Sequence, residues 1–419
     1  MNPTASEEPQ IKPLRVMVAY GTRPEAVKMA PLVLELQRDP AFAPVVAVTG
    51  QHRSMLDQVN DVFGITPDVD LDIHQPAQTL TDITQRSLGG ICSALQRFRP
   101  DALVVQGDTT TTMAAAMAGF YERVPVVHLE AGLRTNDPAS PFPEEINRRL
   151  TTQLASLHLA PTWTSRGNLL AEGVNPHRVV VTGNTVIDAL HWTIATSRPD
   201  PDDALEAELA ATDRPVLLVT AHRRESWGTP MLAIGRALAR IAHDHPDQLV
   251  VFPMHKNPLV RQAILPAIGH LPNVRTVEPL PYPAFCRLMK RASIILTDSG
   301  GVQEEGPSLG KPVLVMRDTT ERPEAVAVGT VRLVGTHEER IVRAVRDLIH
   351  DDGLYRRMAG ATNPYGDGHA ARRSVQALAH HLGRGARPQE FLVAGTPHVI
   401  DLRATDRAEP AELAAVAGD

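Results

Sequence analysis

Short apolar runs, many of them β-branched and bounded by Gly, Pro, Asp or Asn, recur along the chain with helical stretches between them. In the first half they are LRVMVAY (14–20), VVAVTG (45–50), ALVVQGD (102–108), VPVVHLEA (124–131), LHLAP (157–161) and VVVTGN (179–184). A second series runs VLLVTAH (216–222), QLVVFPMH (248–255), VRTVEP (274–279), SIILTDSGG (293–301), KPVLVMR (311–317) and TVRLVG (330–335). Continuous apolar strands alternating with helices mark parallel sheets covered on both faces. Two such series predict an α/β chain of two doubly wound domains, over 14–195 and 205–369, with their seam in the polar stretch 196–215. Residues 1–13 read as a flexible arm and 384–419 as a peripheral or disordered tail, within which FLVAG (391–395) and HVI (398–400) are suited to docking.

Composition narrows the picture. The 419 residues are 43% hydrophobic and 21% charged, a length that calls for two domains and a large core. Cys92 and Cys286 sit in no C-x-x-C or metal-ligand spacing, so neither a disulfide framework nor a metal site is expected, and a reducing cytoplasm is the natural location. The opening MNPTASEEPQIKP has no apolar core and does not read as a signal peptide; no run approaches the roughly 18 apolar residues of a membrane span. A net charge of −6 argues against a general nucleic-acid binder. Anionic small molecules remain open, since they are held by local charge.

Nearly every unusual polar cluster directly follows an apolar run: GTRPEAVK (21–28), GDTTTT (107–112), EAGLRT (130–135), AHRRES (221–226), MHKNP (254–258), DSGG (298–301) and RDTTERPE (317–324). In open parallel sheets ligands bind at the carboxyl ends of strands, so these clusters are expected to line one cleft between the two domains. DSGG before VQEEGPSLG reads as a strand, a glycine turn and a helix start, a place for a phosphate on Ser299, Gly300 and Gly301; an ordinary glycine turn explains it equally well. Glu305, one helical turn on, is placed to accept both hydroxyls of a ribose. Arg23 offers a forked donor for a diphosphate and Lys28 a point charge, although surface cations are common on helices and each alone reads as structural; Glu25 reads as a partner of the helix dipole. Neither a Walker A motif nor G-x-G-x-x-G after the first strand is present, which disfavours ATPases and standard dinucleotide dehydrogenases.

Three carboxylates stand apart. Asp108 and Glu130 end buried strands, and Glu144 opens a helix after Pro143 with Glu145 beside it. Capping accounts for Asp108, and the helix dipole accounts for Glu144 and Glu145, as well as chemistry does. Glu130 has no such bland explanation. Carboxylates clustered in a closing cleft can hold different protonation states, which supplies a base and an acid at neutral pH. His222 and His255 follow strands without metal-ligand spacing, and a metal-free site is expected.

Taken together, GTRPEAVKMAPLV, QHRSMLDQV, GDTTTTMAA, HLEAGLRT, PFPEEINRRLT, TGNTVIDAL, AHRRES, LTDSGGVQEEGPSLGKPVLVMRDTTERPE and NPYGDG resemble, in order, the non-hydrolysing UDP-N-acetylglucosamine 2-epimerases, over residues 14–383. The resemblance implies two Rossmann-like domains of GT-B type with a cleft between them and a last helix, about 370–383, crossing back onto the first domain. It implies interconversion of UDP-GlcNAc and UDP-ManNAc without cofactor, by elimination of UDP to a 2-acetamidoglucal and readdition, in a homodimer. Asp108, Glu130 and Glu144 then match catalytic carboxylates, with His222 near the diphosphate. Arg23, Ser299 and Gly300 match the diphosphate seat, Glu305 the ribose contact and Phe285 a backbone contact to uracil; Lys28, Gly301 and Arg322 complete the expected substrate-binding set. Some relatives carry an activator pocket with a Q-x-x-Q pair and an Arg. Here Gln51 pairs with Ser54, and Ala77 stands where the Arg would be, although Gln51, Glu145, Arg223 and His255 are available.

Three alternatives are a hydrolysing epimerase that releases ManNAc and UDP, a GT-B glycosyltransferase, and a silent sugar-nucleotide binding module. Retention of the three carboxylates disfavours the last, and the lack of an appended kinase-like domain disfavours the first.

Overall fold

The computed structural model describes residues 12–51 and 53–393. Seven strands, β1 (Leu14–Tyr20), β2 (Phe42–Val48), β3 (Val69–Asp70), β4 (Ala102–Gln106), β5 (Val126–Leu129), β6 (Leu157–Ala160) and β7 (Val179–Val181), form one parallel sheet in the order β3-β2-β1-β4-β5-β6-β7. Six more, β8 (Val216–Thr220), β9 (Leu249–Pro253), β10 (Val274–Val277), β11 (Ile294–Thr297), β12 (Val313–Val315) and β13 (Val331–Leu333), form a second in the order β10-β9-β8-β11-β12-β13. Helices alternate with the strands throughout. All twelve apolar runs contain strands, whereas the two-residue β3 has no apolar run and is added by pairing beside β2.

The buried strands feed two cores at once. Val16, Val18 and Tyr20 of β1 join one apolar cluster and Met17 and Ala19 join another, as the period-2 alternation of a strand requires. β8 does the same with Leu218 on one face and Leu217 and Val219 on the other. One cluster is continuous between the two sheets, because the helix Thr185–Thr196 packs against the helices Tyr282–Arg291 and Gly300–Ser308.

The polar stretch 196–215 contains the helix Ala204–Ala210, which is pinned to the second half by Glu206 with Arg287 (2.8 Å) and Glu208 with Arg275 (2.8 Å). The last helix, Ala370–His381, lies on the first half against the helix Arg23–Arg38. Its first N–H groups are capped by Asp188, which accepts from Ala370 (3.1 Å) and Ala371 (2.8 Å). Burial outweighs these donors and pushes the Asp188 carboxyl up to about 6.

The start of the tail is docked. Phe391 N–H donates to Val181 O (2.8 Å), Trp163 Nε1 donates to Phe391 O (2.9 Å) and Arg387 donates to His177 O (3.0 Å). Phe391 and Val393 are buried against Val181, so this segment covers the open edge of β7, a row of unpaired backbone groups. HVI (398–400), the rest of the tail and the arm as far as residue 11 lie outside the described residues. Among the described residues no helix is long and apolar enough to cross a membrane.

Strand order decides where a site can form. In each sheet the chain works outward in one direction and then reverses, between β1 and β4 in the first and between β8 and β11 in the second. The loops leaving the carboxyl ends of those strands diverge and open a crevice.

Candidate functional site

The loop after β1 must pass close to its neighbours. A Cβ on Gly21 would lie 2.1 Å from Thr49 Oγ1 and 2.6 Å from Thr111 Oγ1, so no side chain fits. The chain then enters the helix Arg23–Arg38 with Pro24 in its first turn. Glu25 is more than the dipole partner expected from sequence. It is 1% exposed, accepts from Gly21 N (3.1 Å) and Thr22 N (2.8 Å), and takes the Thr109 and Thr112 hydroxyls at 2.7 and 2.9 Å. One carboxylate thus bolts the loop after β1 to the loop after β4. Arg23 and Lys28 project from this fixed turn into a cavity.

Glu130 ends β5 with φ +63, a left-handed conformation that costs a non-glycine residue of order 1–3 kcal/mol. Its carboxylate is buried and takes four contacts: Lys28 Nζ at 2.5 Å, Asn184 Nδ2 at 3.0 Å, a short bond from Gln106 Nε2, and the nearby charge of Arg322. Burial alone would raise its pKa, but Lys28 and the other donors outweigh this and hold it below the usual carboxylate range. Lys28 is correspondingly held above its ordinary value, the cost of burial being outweighed by Glu130 and Glu304.

Asp108 has the opposite bias. It is paired with Arg148 Nη2 at 2.5 Å and keeps 27% of its side chain open, yet the crowding of protein around it, with Glu130 nearby, pushes its pKa up. The two carboxylates are thus shifted in opposite directions, Glu130 downward by its cationic and amide donors and Asp108 upward by burial. Glu144, at the start of the helix Glu144–Leu154, has a buried oxygen Oε2 with no hydrogen-bond partner among the described residues. Glu145 is fully buried and occupied by Thr135 N (3.0 Å), Asn136 N (3.3 Å), Arg148 (3.3 Å) and Arg149 (3.0 Å).

In the second half, the buried Asp298 after β11 takes the N–H groups of His222 (2.7 Å) and Arg223 (2.8 Å) on Oδ2. Its Oδ1 lies 3.0 Å from His222 Nδ1. This carboxylate joins the ends of β8 and β11 and fixes the His222 ring, which stacks on His255 with centroids 5.8 Å apart. Ser299 holds the N-cap position of the helix Gly300–Ser308 without a side-chain capping bond, and its N–H is taken by Thr297 Oγ1 (2.9 Å). What remains for an anion is the Ser299 hydroxyl and the first N–H groups of the helix, at Gly300 and Gly301.

Gly300 has a second reason to be glycine: a Cβ there would lie 2.7 Å from Arg322 Nη1. The Arg322 guanidinium lies directly over this turn, held by Glu304 (2.6 Å) and Glu321 (2.9 Å). Glu321 also pairs with Arg317 (2.8 Å) and Arg223 (3.5 Å), and these cations, Arg322 first, overcome its burial and hold it at about 2. Glu305 accepts from Tyr282 Oη (3.0 Å), and its burial pushes it up to about 7.

A cavity of about 510 Å³ collects these groups from both sheets. Arg23 and Lys28 line it from the first half, and His222, His255, Phe285, Ser299, Gly301, Glu305 and Arg322 from the second. Pro253, Pro279, Leu280 and Phe285 give it one apolar wall. Lys28 and Arg322 are already paired with carboxylates, whereas Arg23 has no hydrogen bond or ion pair among the described residues. Asp108, Glu130, Glu144 and Gly300, also expected at the site, are not among its lining residues; Glu130 adjoins it through Lys28 and Gly300 through Arg322. Gln51 accepts from Thr111 Oγ1 (3.1 Å) and Arg223 pairs with Glu321, so of the four residues expected at an activator pocket only His255 lines this cavity.

Several residues of the site carried no role in the sequence. Asn184, Glu304, Asp298, Glu321, Gln106 and Arg148 each hold a charged group in place. Asn184 and Asp298 follow strand runs and could have been singled out by that position; Glu304 was hidden beside Glu305.

Comparison with known proteins extends this picture. A family model described as UDP-N-acetylglucosamine 2-epimerase matches residues 34–379. The chain is 54% identical over 371 residues to UDP-N-acetylglucosamine 2-epimerase of Escherichia coli strain K12, covering 87% of this chain and 98% of that one. The crystal structure of UDP-GlcNAc 2-epimerase from Neisseria meningitidis bound to UDP-GlcNAc superposes with a TM-score of 0.80 at 46% identity, over 88% of this chain and all of that one. The Methanocaldococcus jannaschii UDP-GlcNAc 2-epimerase in complex with UDP-GlcNAc and UDP gives 0.74 at 31% identity, over 88% and 100%.

Proposed function

This chain belongs to the UDP-N-acetylglucosamine 2-epimerase family, and from that premise we propose that it interconverts UDP-GlcNAc and UDP-ManNAc without hydrolysis, in the cytoplasm and as a homodimer. The observation that carries the reading is the contrast between Glu130, held as a carboxylate by Lys28, and Asp108, biased toward its acid, beside a cavity whose cations come from both sheets.

The C2 proton of the sugar is weakly acidic, so its removal is coupled to departure of UDP. A carboxylate takes the proton, the C1–O bond breaks with its electron pair leaving on the β-phosphate, and a C1=C2 double bond forms in the 2-acetamidoglucal. Readdition of UDP to C1, with a proton delivered to the other face of C2, completes the inversion. Glu130 is suited to accept the proton and Asp108 to return one, the roles exchanging in the reverse direction. Arg23, the Ser299 hydroxyl, the N–H groups of Gly300 and Gly301, and Arg322 would take up the charge that grows on the leaving diphosphate, with His222 beside them. Glu305 would hold the ribose, and the wall around Phe285 would hold the base.

The test is incubation of the pure protein with UDP-GlcNAc in D2O, without acceptor or added metal, followed by NMR. The expected result is a mixture of UDP-GlcNAc and UDP-ManNAc deuterated at C2. Free ManNAc as the main product would make the protein a hydrolysing epimerase, and turnover only on addition of an acceptor would make it a transferase.

A further inference from the structure

Asn184 does more than cap the helix Thr185–Thr196. It is 3% exposed, its Oδ1 accepts from Val186 N (3.1 Å), and its own N–H donates to Tyr365 O (2.6 Å). Because Oδ1 faces an N–H, the amide orientation is fixed: flipping it would set two donors against each other. The Nδ2 group then donates to two carboxylates at once, Glu130 Oε1 of the first half (3.0 Å) and Glu304 Oε2 of the second (3.2 Å). Beyond them stand Lys28, 2.5 Å from Glu130, and Arg322, 2.6 Å from Glu304. The row alternates cation, anion, amide, anion, cation, and crosses from one half to the other.

Resting on the reading of Glu130 as the proton-transferring carboxylate, we propose that Asn184 and Glu304 are positioning residues of the reaction. The Asn184 carboxamide ties Glu130 to Glu304, and Glu304 holds Arg322 over the Gly300 turn, so the proton-transfer group and the anion seat are set by one network that spans both halves. Neither residue need touch the substrate to do this.

The groups facing Glu130 are Lys28 from the helix Arg23–Arg38, Gln106 and Asp108 at the end of β4, His128 within β5, Asn184 after β7, Glu304 from the helix Gly300–Ser308 and Arg322 after β12. The network predicts opposite effects from its two members. Asn184→Ser keeps an oxygen able to cap the helix but loses the donor to Glu130, so proton loss from Glu130 moves to higher pH. Asn184→Asp also keeps the cap and adds a negative charge, moving it further in the same direction. Glu304→Gln removes a carboxylate that competes for Lys28 and Arg322, and moves it to lower pH.

The experiment is a 13C NMR titration of the full chain labelled at the glutamate carboxyl carbons, with the Glu130 signal assigned by its loss in Glu130→Gln. Alongside it, C2 exchange is followed as a function of pH and the thermal midpoint of each variant is recorded. Displacements of about one pH unit, a tenfold change in the proton equilibrium, are expected in the stated opposite directions, with the acid limb of kcat following them. A Glu130 titration that stays in place, or moves the same way in the Asn184 and Glu304 variants, would overturn the network, whatever the melting temperatures. Displacements as predicted with no C2 exchange in the parent protein would support the network and overturn the epimerase reading on which its catalytic role rests.

Discussion

Replacing Glu130 with glutamine is expected to lower turnover by about 10² to 10⁴-fold, the usual contribution of a positioned acid or base, while UDP still binds. Glutamine fills the same volume and can still face Asn184 and Gln106, but it cannot accept a proton, and it leaves Lys28 without its 2.5 Å counter-charge. In the proposed reading the diphosphate is held by other groups, chiefly Arg23, Arg322 and the Gly300 turn, so affinity for UDP is expected to be largely spared. Rates of C2 deuterium exchange and calorimetric titration with UDP separate the two effects. Near-normal exchange would remove Glu130 from the chemistry.

The second large effect is expected at Glu145, and it falls on stability. This carboxylate has no exposed surface and receives two backbone N–H groups from the loop after Glu130 together with Arg148 and Arg149. Glu145→Ala strands the N–H groups of Thr135 and Asn136 and leaves the buried Arg148 with Asp108 as its remaining partner. Breaking a buried pair from one side costs about 3–5 kcal/mol. A loss of that order, read in urea unfolding of the full chain, is expected, with a fall in turnover because Arg148 shifts away from its setting against Asp108. The same group makes stability depend on acid. Burial raises the Glu145 pKa, but Thr135 N, Arg149 and Arg148 outweigh it and hold it below its unfolded value. Its contribution is therefore complete above the unfolded carboxylate pKa of about 4.3 and is lost as pH falls through the lower folded value. Glu145→Ala should flatten the acid side of the stability profile.

Much of this architecture is legible in the sequence because parallel strands covered on both faces are nearly pure apolar runs. All twelve such runs hold strands, and four of the seven polar clusters, those after β1, β4, β8 and β11, flank the points where strand order reverses. β3 escapes because two half-exposed residues, Val69 and Asp70, carry no pattern and are held by pairing with Ala47 and Val48. Docking of the tail is legible in the apolar run that begins at Phe391, but its seat is not, because nothing local announces that β7 has an open edge to cover.

Side-chain partners are harder to read than positions. Glu25 has the sequence setting of an ordinary first-turn acid, yet its partners Thr109 and Thr112 belong to the start of the helix Thr110–Tyr121, 84 and 87 residues away in the chain. Glu130 stands out as a charged residue at the end of a buried strand, but its pairing with Lys28 and Asn184 depends on the close packing of three separate loops. Likewise Gly300 reads as a turn glycine, and its need to accommodate Arg322 becomes visible only when the loop after β12 is in place.

If UDP leaves the sugar and returns to it within one site, UDP-GlcNAc carrying 18O in the bridge between C1 and the β-phosphate must scramble its label. Once the C1–O bond breaks, the oxygens of the freed β-phosphate become equivalent by rotation. Recovered UDP-GlcNAc is expected to carry the label in non-bridging positions, at a rate comparable with C2 exchange; label that stays in the bridge while C2 exchanges with solvent would rule out departure and return of UDP.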